Sequence, residues 1–141
     1  MAKRGITMTS LSIYVVLLST MITLALLVSN NINDRMFDER GMVINITNAD
    51  KLQYNLLNSA KESNKLSVYR DKLVFGNGDI YLCDRTAKVI YKNGAVLVDN
   101  LDKFTITPSN TTSGTKYVKL SITLNKYLNE LQRDIIVCVE E

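Results

Sequence analysis

An uncharged, apolar run from Ile6 to Val28 constrains this chain more than any other feature. At ~1.5 Å of rise per residue it makes a helix of roughly 34 Å, enough to cross a hydrocarbon core of about 30 Å. The run therefore reads as a membrane helix. Ahead of it stands Met1-Ala2-Lys3-Arg4-Gly5, a short basic leader that ends in a small residue. In a secretory signal peptide the cleavage site follows the apolar region. Here the charges and the small residue come first. A cut after Gly5 would remove the leader and leave the helix on the mature chain.

This arrangement resembles the leader of the type IV prepilins, shared by type IV pilins and the pseudopilins of type II secretion and DNA-uptake machines. The matching residues are Lys3-Arg4-Gly5, then Ile6-Thr7-Met8, then the long apolar run. The resemblance implies that a prepilin peptidase cuts between Gly5 and Ile6 and N-methylates Ile6. Glycine suits that place, because a residue without Cβ lets a protease approach the backbone closely. The implied partners are the peptidase, other major and minor pilin or pseudopilin subunits, an inner-membrane assembly platform and the lipid bilayer.

The chain departs from the family at one position. The family usually carries a glutamate as the fifth mature residue, and this chain has Ser10. In the family that carboxylate meets the N-terminal amine of a neighbouring subunit, and a buried charge without its partner is costly. Ser10 cannot supply the charge. Loss of the glutamate marks some minor subunits, including one at the filament tip. The resemblance thus points to a minor, tip-proximal subunit. In the plainer alternative, Thr7, Thr9, Ser10 and Ser12 only hydrogen-bond within and between helices in lipid.

The 141 residues leave room for one anchor and one small domain of about 100 residues. The formal net charge is +3, and removing Lys3 and Arg4 would leave 15 basic and 14 acidic residues, which is no footprint for a nucleic-acid partner. Lys3 and Arg4 on the short side favour a cytoplasmic N-terminus and an exported remainder. The expected location is a single-pass cytoplasmic membrane protein with its head outside, later part of a cell-surface filament.

After Val28, Ser29-Asn30-Asn31 marks exit from lipid, and Ile32, Met36, Val43 and Ile46 recur at spacings that suit an amphipathic helix. Gly41 predicts a bend or break, since glycine weakens a helix by ~1 kcal/mol relative to alanine. Thr47 is the expected N-cap of a second helix, with Leu52, Leu56 and Ala60 on one face and Leu57 nearby. Ser63-Asn64 ends it.

From Leu66 the period becomes strand-like. Short β-prone runs cover 66–69, 72–75, 80–83, 89–91, 95–98 and 104–107, and Asn93-Gly94 is a strong hairpin signal. Pro108 opens a polar loop to Thr115. Strands follow at 117–124 and 134–139, with 125–132 read as a loop or one helical turn. In the first of these Val118, Leu120, Ile122 and Leu124 alternate with polar residues, giving one apolar face. The preceding amphipathic helix is its natural cover.

Site chemistry is sparse. The chain has no histidine, so no Ser-His or Cys-His pair and no His metal site. Gly76-Asn77-Gly78 lies between strands and cradles no phosphate. No Asp-x-Asp-x-Asp loop supports a calcium site at Asp84 or Asp99. No catalytic, cofactor or metal residue is expected. Cys83 and Cys138 both fall in predicted strands, where a disulfide and two buried free thiols are both open readings. The tyrosines, among them Tyr54, Tyr69, Tyr81, Tyr91, Tyr117 and Tyr127, are expected to pack across strands.

The reading is thus α+β and pilin-like: leader 1–5, membrane or filament-core helix 6–28, amphipathic helical segment 29–63, and antiparallel β head 64–141. The function it implies is that of a minor type IV pilin or pseudopilin, a structural filament subunit rather than an enzyme. The alternative is a single-pass membrane-anchored extracytoplasmic binding or sensor domain outside any filament.

Overall fold

The computed structural model describes residues 8–110 and 116–139. One long helix, α1 (Met8–Lys61), is followed by antiparallel strands β1 (Leu66–Val68), β2 (Lys72–Phe75), β3 (Ile80–Asp84), β4 (Val89–Lys92), β5 (Ala95–Val98), β6 (Leu101–Asn110), β7 (Lys116–Lys126) and β8 (Asn129–Val139). The expected α+β class holds. The chain divides into two units at Phe37/Asp38, the first holding the apolar part of α1 and the second its remainder with all the strands.

The strands form two sheets. β1 to β5 make a five-stranded meander, and β6 to β8 a three-stranded one. The β4–β5 hairpin turns at Asn93-Gly94 with φ of 52° and 86°, the left-handed pair that such a tight turn requires. Within the head, α1 buries Gly41, Asn45, Ala49, Leu52, Leu56, Ser59 and Ala60, a stripe that recurs every three or four residues. It packs into one core with Leu73, Phe75 and Ile90 of the larger sheet and Leu120, Ile122, Leu124 and Ile135 of the smaller. The alternation read in β7 is realised: Val118, Leu120, Ile122 and Leu124 are all buried.

Three expectations for α1 are corrected. α1 runs unbroken through Gly41, because that glycine serves a close approach and not a hinge: a Cβ there would meet the Lys126 carbonyl oxygen. Thr47 is therefore inside the helix and caps nothing; its hydroxyl donates to the Val43 carbonyl at 2.8 Å. The buried face is also not the one marked by Ile32, Met36, Val43 and Ile46, which are all exposed. The stripe instead uses small and polar residues that a hydrophobic pattern passes over.

Beyond β5 the strands are longer than their patterns suggest. β6 continues through Pro108, which is tolerated because β6 is an edge strand. Residues 125–132 are neither loop nor helical turn. β7 and β8 run to Lys126 and Asn129 and join through Tyr127-Leu128 alone, both in the left-handed region with φ of 52° and 66°.

Candidate functional site

Two features stand out, one in each unit. In the first, every described residue of α1 from Leu11 to Phe37 is exposed. Large apolar side chains point outward all round: Leu17, Leu18, Leu24, Leu26, Leu27 and Val28 are each more than half exposed. By length and composition this helix can cross a membrane. Three of its hydroxyls bond back to their own helix. Ser12 donates to the Met8 carbonyl at 3.0 Å, Thr20 to Leu17 at 2.8 Å and Thr23 to Ser19 at 2.9 Å. Bonded back to their own helix, they carry no unmet polar demand into an apolar surrounding.

Ser10 lies in the first described turn of α1 and is half-buried. Val28 is interior to the helix, which continues past Ser29-Asn30-Asn31 without interruption. The processing residues Gly5 and Ile6, and with them the N-terminal end assigned to the span, lie outside the described residues.

In the head, a polar cluster ties α1 to the larger sheet. Asp79, just before β3, is its centre. The Ser59 hydroxyl donates to Asp79 Oδ2 at 2.5 Å, Asn93 Nδ2 to Oδ1 at 2.8 Å, and Lys92 Nζ pairs with Oδ2 at 3.2 Å. With its single proton committed to Asp79, Ser59 accepts from the Tyr81 hydroxyl at 2.7 Å. The Ser59 and Asn93 donors, aided by Lys92, hold the Asp79 carboxyl down at about 2. Burial pushes the Tyr81 hydroxyl above its ordinary value. Lys92 Nζ also lies 5.6 Å from the Tyr81 ring centroid, and that ring meets Phe75 edge-on at 5.5 Å.

Each group in this cluster is satisfied by another. Ser59 is fully buried and its oxygen is taken up by Tyr81, so the arrangement locks helix to sheet. Sequence reading missed it, though a signal was present: Ser59 lies three residues beyond Leu56, on the apolar stripe itself. Asn45 sits on the same stripe, fully buried, and donates to the Asn129 carbonyl at 2.8 Å. Asn129 in turn donates to the Asp38 carbonyl at 3.0 Å, and Arg133 pairs with Asp50. These contacts fix α1 to β8.

Among the described residues no group of three or more His, Cys, Asp or Glu is arranged to hold a metal. The cysteines do not pair: both are free, Cys83 buried on β3 of one sheet and Cys138 exposed on β8 of the other. The reading of two buried thiols thus holds for Cys83 alone. Burial pushes its thiol up to about 11. Of the tyrosines, Tyr81 packs in the core as expected, whereas Tyr54, Tyr69 and Tyr127 are exposed, at 72%, 59% and 52%.

Comparison with protein-family models, with curated proteins and with solved structures found no match.

Proposed function

We propose that this chain is a minor type IV pilin or pseudopilin: a subunit cut between Gly5 and Ile6, methylated at Ile6, and drawn from the cytoplasmic membrane into a filament. The observation that carries the reading is the change of character along α1. Before Asp38 its apolar side chains are exposed on all sides; after it, one stripe is buried in a small β head. A helix that is apolar all round must be covered by lipid or by other helices. A filament subunit needs both covers in turn. Because both are apolar, transfer from one to the other carries little net hydrophobic cost.

The leader residues Lys3-Arg4-Gly5 support the same reading. Ser10, in place of the family glutamate, favours a minor position near the tip, where no further subunit needs to be engaged. The partners are then the peptidase, the assembly platform and the other subunits. The head faces outward and its role is structural.

The test is the intact mass and N-terminal residue of the membrane-extracted protein, made with and without a prepilin peptidase. A mature chain starting at methylated Ile6, seen only with the peptidase, is the expected result. A chain that keeps Lys3-Arg4-Gly5 beside an active peptidase would overturn the reading and leave a membrane-anchored binding or sensor domain in its place.

A further inference from the structure

We propose that the open edge of β8 is a docking site for an extended, basic segment of another protein chain, which adds to the smaller sheet as a further antiparallel strand. The inference uses the head alone, so it holds whether or not the chain joins a filament.

The first observation is a contrast among the sheet edges. An open edge presents a row of backbone N–H and C=O groups to any other strand, and proteins blunt it with short strands, bulges, proline or lysine. Three edges are blunted in this way. β1 has three residues. β5 has four, with a register shift in its pairing to β4. β6 carries Lys103, Pro108 and a register shift near Leu101. β8 has none of these devices. It runs for 11 residues, in unbroken register with β7 from Asn129 to Val139, without proline, glycine or lysine. Among the described strands it pairs with β7 alone. So long and regular an edge suits strand addition.

The second observation is charge, and it selects the occupant. Glu130, Gln132, Asp134, Ile136 and Cys138 alternate along the exposed face of β8. Lys119 of β7 meets Asp134 at 2.7 Å, but opposite Glu130 β7 places Asn125. From Asn129 onward the sequence has the acids Glu130, Asp134, Glu140 and Glu141 against Arg133 alone, and Arg133 is committed to Asp50 on α1. A second copy of β8 would set like charges against each other, which is unfavourable across strands. A strand that carries lysine or arginine gains from the same arrangement.

The third observation is a groove at the other half of the strand. A cavity of about 820 Å³ is lined by Leu57, Ala60 and Lys61 of α1, by Asn77, and by Ile136 and Cys138 of β8. It offers an apolar seat, since Ile136 is 57% exposed and Leu57 38%. An antiparallel strand therefore places its apolar residues first, in the groove, and its basic residues after them, beside Asp134 and Glu130.

The probe is a short synthetic peptide in which threonine alternates first with valine and then with lysine. It is added to the full-length protein in detergent micelles, and amide hydrogen exchange is read residue by residue. The expected result is new protection at the β8 amides that face away from β7, with β1, β5 and β6 unchanged. A peptide with glutamate in place of lysine should bind more weakly, by roughly two- to fivefold. Glu130→Lys should reduce that preference. Unchanged exchange along β8, protection of a different edge, or equal binding of the two peptides would overturn the proposal. So would protection of β8 that grows with protein concentration without peptide, which would assign the edge to a second copy.

Discussion

Gly41 on α1 and Lys126 on β7 meet so closely that a Cβ on the glycine would stand 2.6 Å from the Lys126 carbonyl oxygen. No side-chain rotation relieves that clash, because the opposing atom is backbone. Gly41→Ala should therefore destabilise the head by about 1–3 kcal/mol, although alanine favours helix by ~1 kcal/mol. A urea melt of the purified protein checks the sign. A gain in stability would mean that helix and hairpin are not in contact.

Ser59 is fully buried and joins Asp79 to Tyr81. Ser59→Ala strands both partners and should cost about 1–3 kcal/mol. It should also raise the Asp79 pKa, since the serine is its leading hydrogen-bond donor. Carboxyl chemical shifts followed through a pH titration read the second effect independently of the first.

Asp79 makes stability acid-sensitive in a defined window. Its carboxyl sits at about 2 in the folded chain against an ordinary 3.8. Between those values the unfolded state binds more protons, so stability rises with pH there. The contribution is complete above about pH 4 and disappears as pH falls through about 2. At this partly exposed site it amounts to something on the order of 1 kcal/mol. Asp79→Asn should lower stability at neutral pH and flatten the slope between pH 4 and 2 in denaturant melts.

Leu56 and Leu57 are neighbours with different surroundings: the first is fully buried and the second 38% exposed. Leu56→Ala should cost about 2–5 kcal/mol. Leu57→Ala should cost distinctly less, because it leaves no enclosed cavity. Equal effects in thermal melts would mean that the stripe is assigned to the wrong face.

Leu128→Gly should stabilise the head slightly. At φ of 66° it removes a Cβ strain of about 1–2 kcal/mol, offset in part by glycine's greater freedom when unfolded. A thermal melt of the purified variant checks the sign.

Where sequence and structure agree, a strong local pattern was at work: the apolar run of α1, the Asn93-Gly94 turn, the alternation from Val118 to Leu124. Where they part, the deciding partner was remote in the chain. Gly41 carries a helix penalty that is readable locally, but its compensation comes from Lys126 across the head. Thr47 has capping chemistry, yet the helix was already running. Tyr127-Leu128 has none of the usual turn residues, so the pairing of two long strands had to impose the turn. The lock around Asp79 escaped because Ser59, Lys92 and Asn93 are each ordinary alone. The apolar helix was readable from composition and length; what covers it is a property of its surroundings.

The two thiols differ enough to act as a built-in clock. Cys138 is exposed and open to alkylation in the native state, whereas Cys83 is sealed in the larger sheet with its thiol pushed up to about 11. A reagent that modifies the first at once can reach the second only when the sheet opens. The ratio of the two rates, read by mass in one sample, gives the fraction of time the sheet spends open, without denaturant.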